Sequence, residues 1–143
     1  MRIAIISVFG LLPSLLISYY AIFGFIIAPQ NLLSGKYILG LTILIYSGAS
    51  FFATYSLLRY LFGTPLRTLR SGMLAGFVVT ITMVVHPFVR VLLERLGVDQ
   101  VRFTEGINLA VALGFAAFCI LPMAVFAYLF YRSTKLVGSG SDL

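Results

Sequence analysis

Four stretches of this chain contain no Asp, Glu, Lys or Arg: residues 3 to 35, 37 to 58, 71 to 89 and 106 to 131. A helix rising 1.5 Å per residue needs roughly 20 residues to cross a hydrocarbon layer of about 30 Å, and each tract is of that order or longer. The whole chain of 143 residues is 61% hydrophobic and only 10% charged, whereas a soluble domain carries about a quarter charged residues. A soluble core of this size would leave much of that apolar surface in water; lipid solvates all of it. The sequence therefore predicts an all-α integral membrane protein, an antiparallel bundle of four transmembrane helices.

The boundaries follow from punctuation. Residues 1 to 136 form one domain with spans at about 3–28, 37–62, 71–89 and 105–131. Pro29, Gln30 and Asn31 are expected to end the first span near Ala28, and Gly63, Thr64 and Pro65 the second near Phe62. Ser71 is the expected N-cap of the third span, and Thr104 followed by Glu105 that of the fourth. Residues 137 to 143, VGSGSDL, have linker composition and read as a flexible tail. Met1 and Arg2 before an apolar run resemble a signal peptide. The run is much longer than such an apolar region, so it is expected to stay as the first span.

Orientation comes from the basic residues flanking the spans. Arg2, Arg59, Arg67, Arg70, Arg132 and Lys135 fall on one side, against Lys36, Arg90, Arg95 and Arg102 on the other, which also carries Glu94, Asp99 and Glu105. The richer side is expected to be cytoplasmic, with both termini there and the chain in a bacterial inner membrane. Tyr55, Tyr60, Phe62, Tyr128, Phe130 and Tyr131 would then stand at the inner interface, and Tyr37, Phe88 and Phe103 at the outer one.

The stretch VVHPFVRVLLERLG, residues 84 to 97, gathers the single His with three charges. Proline fits the first turn of a helix, so His86 and Pro87 are expected to end the crossing and start a short amphipathic outer segment closed by Gly97. Arg90 and Glu94, four apart, share its polar side; Arg95 falls in its apolar arc and must snorkel. The alternative is a single helix running on through Pro87 beyond the bilayer. His86, Arg90, Glu94, Arg95, Glu105 and Asn108 make up a candidate outer polar cluster for contact with a lipid or a partner.

Small residues give a second signal. Ala49 and Ala53, Gly72 and Gly76, and Gly106, Ala110 and Gly114 recur every four residues, the spacing that lets helices approach closely in lipid. Packing within the bundle is the default use, contact with a partner the other. The loop bearing Arg59, Arg67 and Arg70 is suited to anionic headgroups at the inner face. Pro13 and Pro122 lie inside spans and free backbone carbonyls, which Ser14 and Ser18 are placed to bond in the first span.

Chemistry that is missing narrows the function. Between the interfaces the spans hold no Asp, Glu, Lys or Arg for a proton relay or ion path. No base pairs with a nucleophile, no Gly-rich phosphate loop occurs, and one His with scattered acids does not make a metal site. The scattered cations form no stripe for nucleic acid. Catalysis and cofactors are therefore not expected. The leading expectation is a non-enzymatic accessory or structural subunit, whose partners are lipids and other membrane subunits or copies of itself. A homo-oligomeric channel or transporter with its path between subunits, involving Thr80, Thr82, His86 or Asn108, and a membrane-embedded immunity or exclusion protein are the alternatives.

Overall fold

A computed structural model describes residues 2–96 and 109–138. Helix α1 (Arg2–Ile6) runs through a π turn (Ser7–Leu11) into α2 (Leu12–Leu33). There follow α3 (Tyr37–Leu61), a 3-10 turn (Leu66–Leu69), α4 (Arg70–Arg95) and α5 (Leu109–Gly138). No strand occurs among the described residues. Four helical stretches are long and apolar enough to cross a membrane: Ile3–Leu33, Tyr37–Leu61, Leu66–Val89 and Ala110–Gly138. The molecule is compatible with a multi-pass membrane protein.

The first helix is interrupted by a change of pitch, and Pro13 explains it. A proline inside a helix lacks the N–H for its own turn and crowds the carbonyl four residues back. Here the backbone widens just upstream, the Leu12 N–H reaching the Ser7 carbonyl five residues away, which places Pro13 in the first turn of α2. The Ser14 hydroxyl donates to the Gly10 carbonyl at 2.7 Å within this region. Ser18 does not serve the proline; it reaches across to α3.

Several boundaries differ from those the sequence suggests. Pro29 does not end α2, which continues to Leu33; helices in lipid carry an internal proline when neighbouring groups take up the freed carbonyl. The stop is Gly35, at φ 80°, a backbone region open to glycine at little cost. Lys36 N–H donates to the Asn31 carbonyl at 2.8 Å and Gly35 N–H to that of Leu32 at 3.2 Å, the double bond pattern of a Schellman cap. Gly63, at φ 91°, ends α3 the same way: Thr64 N–H donates to Arg59 and Gly63 N–H to Tyr60. Ser71 is not an N-cap, because the chain enters α4 through the 3-10 turn and Ser71 is already helical.

The expected break at Pro87 is also absent. Helix α4 runs through Pro87 to Arg95, and Leu96 N–H still donates to the Leu92 carbonyl at 3.0 Å. The amphipathic outer segment is thus the end of α4 rather than an element of its own, as in the alternative of a single long helix. The closing role assigned to Gly97 and the cap at Thr104 and Glu105 lie outside the described residues. Residues 137 and 138 belong to α5 instead of the tail; residues 139 to 143 lie outside the description.

Packing falls into two zones. Ile6, Ala53, Leu57, Leu66, Met73, Phe126 and Leu129 form one buried cluster, joining α1, the end of α3, the start of α4 and the later part of α5. Gly10 fits there against Val125 and Leu57, Gly72 against Ser56, and Gly76 against the Phe126 ring. A second, smaller cluster of Ile17, Val79 and Cys119 joins α2, α4 and α5. Helices α2 and α3 lie close throughout, with Gly24 beside Ser47 and Gly40 beside Leu32 and the Ala28 carbonyl. Such close approaches let dispersion and interhelical hydrogen bonds act between helices, the terms that replace the hydrophobic effect where helices lie in lipid.

Candidate functional site

Small and hydroxyl side chains on α2 and α3 build the polar interior. Ser14 and Ser18 are four apart on α2; Ser47, Ser50 and Thr54 recur at intervals of three and four on α3, which sets each group on one helix face. Thr54 donates to the Ser14 carbonyl at 3.1 Å. A hydroxyl has one proton, so Thr54 then accepts from Ser18 across their 2.7 Å contact, and Ser18 Oγ also lies 3.2 Å from the Ser50 carbonyl. Ser50 turns its own hydroxyl to the Tyr46 carbonyl. The void beside this network, bordered by Ser50, Thr54, Thr80 and Phe126, holds about 10 Å³. That is at the lower limit for one water.

Past Ser50, toward the end of the molecule that carries Lys36, the space between α2, α3 and the second half of α4 widens to a groove of about 500 Å³. Ligand sites occupy roughly 300–1,000 Å³. It is bordered by Ile17, Ala21, Ile43 and Met83 and by Tyr20, Tyr46, Ser47 and His86, and its surface is almost wholly apolar. Thr42 and Thr82 also line it, but their hydroxyls are engaged with the carbonyls of Ile38 and Val78 in their own helices. In the other direction the groove ends at the small void and the buried cluster around Leu57, Met73 and Phe126. The described residues therefore leave no path from one end of a single chain to the other along this line.

The residues singled out from the sequence are distributed as follows. His86 is exposed and borders the groove. Arg90, Glu94 and Arg95 lie on the last turns of α4; Arg95 is exposed, the side chains of Arg90 and Glu94 are outside the description, and so are Glu105 and Asn108. The outer polar cluster is consequently seen only at His86 and Arg95. Ala53, Gly72 and Gly76 are buried between helices, and Ala49 packs against the second cluster. Ala110 and Gly114 are exposed on α5, and Gly106 lies outside the description. Thr80 is sealed in the bundle, donating to the Gly76 carbonyl at 2.7 Å. No group of His, Cys, Asp and Glu suited to a metal gathers among the described residues.

The opposite end is basic and aromatic. Arg59 Nε donates to Thr64 Oγ1 at 3.1 Å and the guanidinium stands 5.9 Å from the Tyr55 ring centroid. Arg70 faces Phe130 at 5.6 Å, Arg132 faces Tyr128 at 5.9 Å and Lys135 faces Tyr131 at 4.9 Å. Such cation–ring pairs hold long side chains beside the helix ends. Arg67 is exposed on the 3-10 turn. The chain matches no family model, no curated protein and no solved structure.

The Ser18 and Thr54 network and the groove-bordering Tyr20, Tyr46 and Ser47 were not among the candidate residues read from the sequence. Their signal was present: serines and threonines recurring at helical spacing on two consecutive uncharged spans.

Proposed function

We propose that the protein is a small, non-enzymatic accessory subunit of a bacterial inner membrane, an antiparallel four-helix bundle with both termini cytoplasmic, that docks against another membrane protein through α5. The observation that carries this reading is Gly114. It is exposed, and a methyl group built on it would meet no described residue within 4 Å, whereas Gly72 and Gly76 are filled by Ser56 and Phe126 from within. Ala117, also exposed, extends the same small face by one turn. Close helix approach in lipid requires small residues, and this face remains open to a neighbour. The excess of cations at the Arg59 end supports its cytoplasmic placement.

The test is gentle solubilisation from the native host of the parent chain and of Gly114→Leu, with identification of what co-purifies. A bound membrane protein that Gly114→Leu loses, at unchanged melting temperature, supports docking through α5. Recovery of both forms as lone monomers overturns it. Retention of the same chain alone, lost in the variant, replaces the accessory reading by a homo-oligomer.

A further inference from the structure

The basic end of the bundle carries charge that docking through α5 leaves unused. Arg2, Arg59, Arg67, Arg70, Arg132 and Lys135 flank this end of the spans, whereas Glu94, Asp99 and Glu105 lie in sequence between the third span and the fourth. Of the chain's four acids only Asp142 follows the last span. The side chains here therefore keep an excess of positive charge whichever pairs form.

The fold sets two of these cations apart. Leu66 is buried in one cluster with Phe126 and Leu129 of α5, which pins the 3-10 turn to the bundle. Side chains three apart eclipse in such a turn. Arg67 lies within it and Arg70 directly follows, so the two leave the backbone on one side, and both are exposed. Arg70 stands 5.6 Å from the Phe130 ring centroid, a contact that occupies no hydrogen-bond acceptor and leaves the N–H donors accessible. Arg59 is committed otherwise: Nε donates to Thr64 Oγ1 at 3.1 Å and Nη1 to the Tyr55 hydroxyl at 3.3 Å, which ties down the end of α3.

Two adjacent guanidiniums suit a phosphate, whose oxygens accept paired N–H bonds from arginine. Position says which phosphate. The third apolar stretch begins at Leu66 and the exposed Phe62 stands just before the turn, so the pair sits where apolar surface meets polar. Only residues 62–65 separate α3 from the turn. So short a polar cap offers little toward the roughly 800 Å² per partner of a stable protein interface, whereas a lipid headgroup needs only a few donors beside an apolar surface. A choline group next to the phosphate would bring a cation against the same arginines, so the headgroup is one without a cation.

We propose that Arg67 and Arg70 hold the phosphate of an anionic phospholipid at the edge between α4 and α5. The proposal depends on the chain crossing a membrane but not on the docking face: Gly114 precedes Phe130 by sixteen residues, about 24 Å along α5.

The experiment is calorimetric titration of the full chain with dioctanoyl phosphatidylglycerol, in a neutral detergent at about 0.15 M salt, where the field of more distant cations is screened within about 8 Å. Saturable binding is expected. Arg67→Gln and Arg70→Gln should each weaken it about fivefold, the equivalent of about 1 kcal/mol per cation at a membrane surface, and Arg59→Gln should weaken it less than either. Should Arg70→Gln lower the melting temperature through loss of the Phe130 contact, Arg67→Gln carries the test alone. Binding that never saturates overturns the proposal, as does equal affinity for dioctanoyl phosphatidylcholine. A loss in Arg59→Gln as large as in Arg67→Gln marks bulk charge without a site and overturns it too. Inorganic phosphate that displaces the lipid at equal concentration assigns the pair to a soluble anion instead. A chain that stays dissolved once the detergent is removed sinks the membrane reading itself, before any titration.

Discussion

The Ser18 and Thr54 contact allows a measurement of how far hydroxyls hold this bundle together. Thr54→Val keeps the side-chain shape and opens no cavity, while removing the bond accepted from Ser18 at 2.7 Å and the one donated to the Ser14 carbonyl at 3.1 Å. Neither abandoned group becomes an orphan. Ser18 retains the Ser50 carbonyl at 3.2 Å, and the Ser14 carbonyl sits within α2, where the helix supplies its own N–H. The loss is therefore two interhelical bonds without a desolvation penalty. At about 0.6 kcal/mol for an average bond inside a membrane protein, the sum is about 1.2 kcal/mol. A buried orphan would add about 1–3 kcal/mol more. Ser18→Ala removes the shared bond from the other side, so the double variant should show a coupling of about 0.6 kcal/mol and no more than about 1.7. Unfolding of the four forms in mixed micelles, followed by circular dichroism, gives the cycle. A coupling of zero within error would refute the bonding scheme; single-variant losses above about 3 kcal/mol would refute the claim that the partners find other bonds.

The remaining expectations concern single positions. At Gly35 and Gly63 a methyl group would meet nothing within 4 Å, so Gly35→Ala and Gly63→Ala test backbone conformation alone. Each should cost about 1–2 kcal/mol in the same unfolding assay, and a neutral result would contradict the left-handed caps. Gly76→Val would overlap the Phe126 ring, a fully buried side chain. A loss of about 1–3 kcal/mol is expected from overpacking, and an unchanged midpoint would place Phe126 elsewhere. For topology, Ser34→Cys and Thr64→Cys should react with an impermeant thiol reagent from opposite sides of a sealed vesicle, while Cys119, which has no exposed surface, stays unlabelled. Reaction of both from one side would exclude four crossings.

Charge made the four spans legible, because an ionised side chain in hydrocarbon is expensive enough to be confined to the ends of each helix. Local punctuation was harder to rank. Pro29 and Pro87 both looked like stops, yet each costs a helix one hydrogen bond and leaves the rest of the ladder intact. Gly35 and Gly63 end their helices through a backbone conformation that other residues resist. The more reliable stop was therefore the residue that offers an alternative conformation, and not the one that withholds a bond. Ser71 misled for a related reason: a serine before an apolar run is a good cap only if the helix starts there, and Pro65 sets the entrance six residues earlier.

The groove stayed hidden for a different physical reason. In water, the side of a helix that faces a core is marked by hydrophobicity, and periodicity reveals it. In this chain both sides are apolar: Tyr19, Ile26 and Phe52 are exposed just as Leu57 and Phe126 are buried. Hydrophobicity then carries no information about facing, and the signal passes to residues that lipid would leave without partners or that make room for a neighbour. Ser14, Ser18, Ser50 and Thr54 satisfy one another, and Gly72 and Gly76 are filled from inside. Small and hydroxyl side chains at helical spacing are therefore the positions that mark an inward face in a chain of this composition.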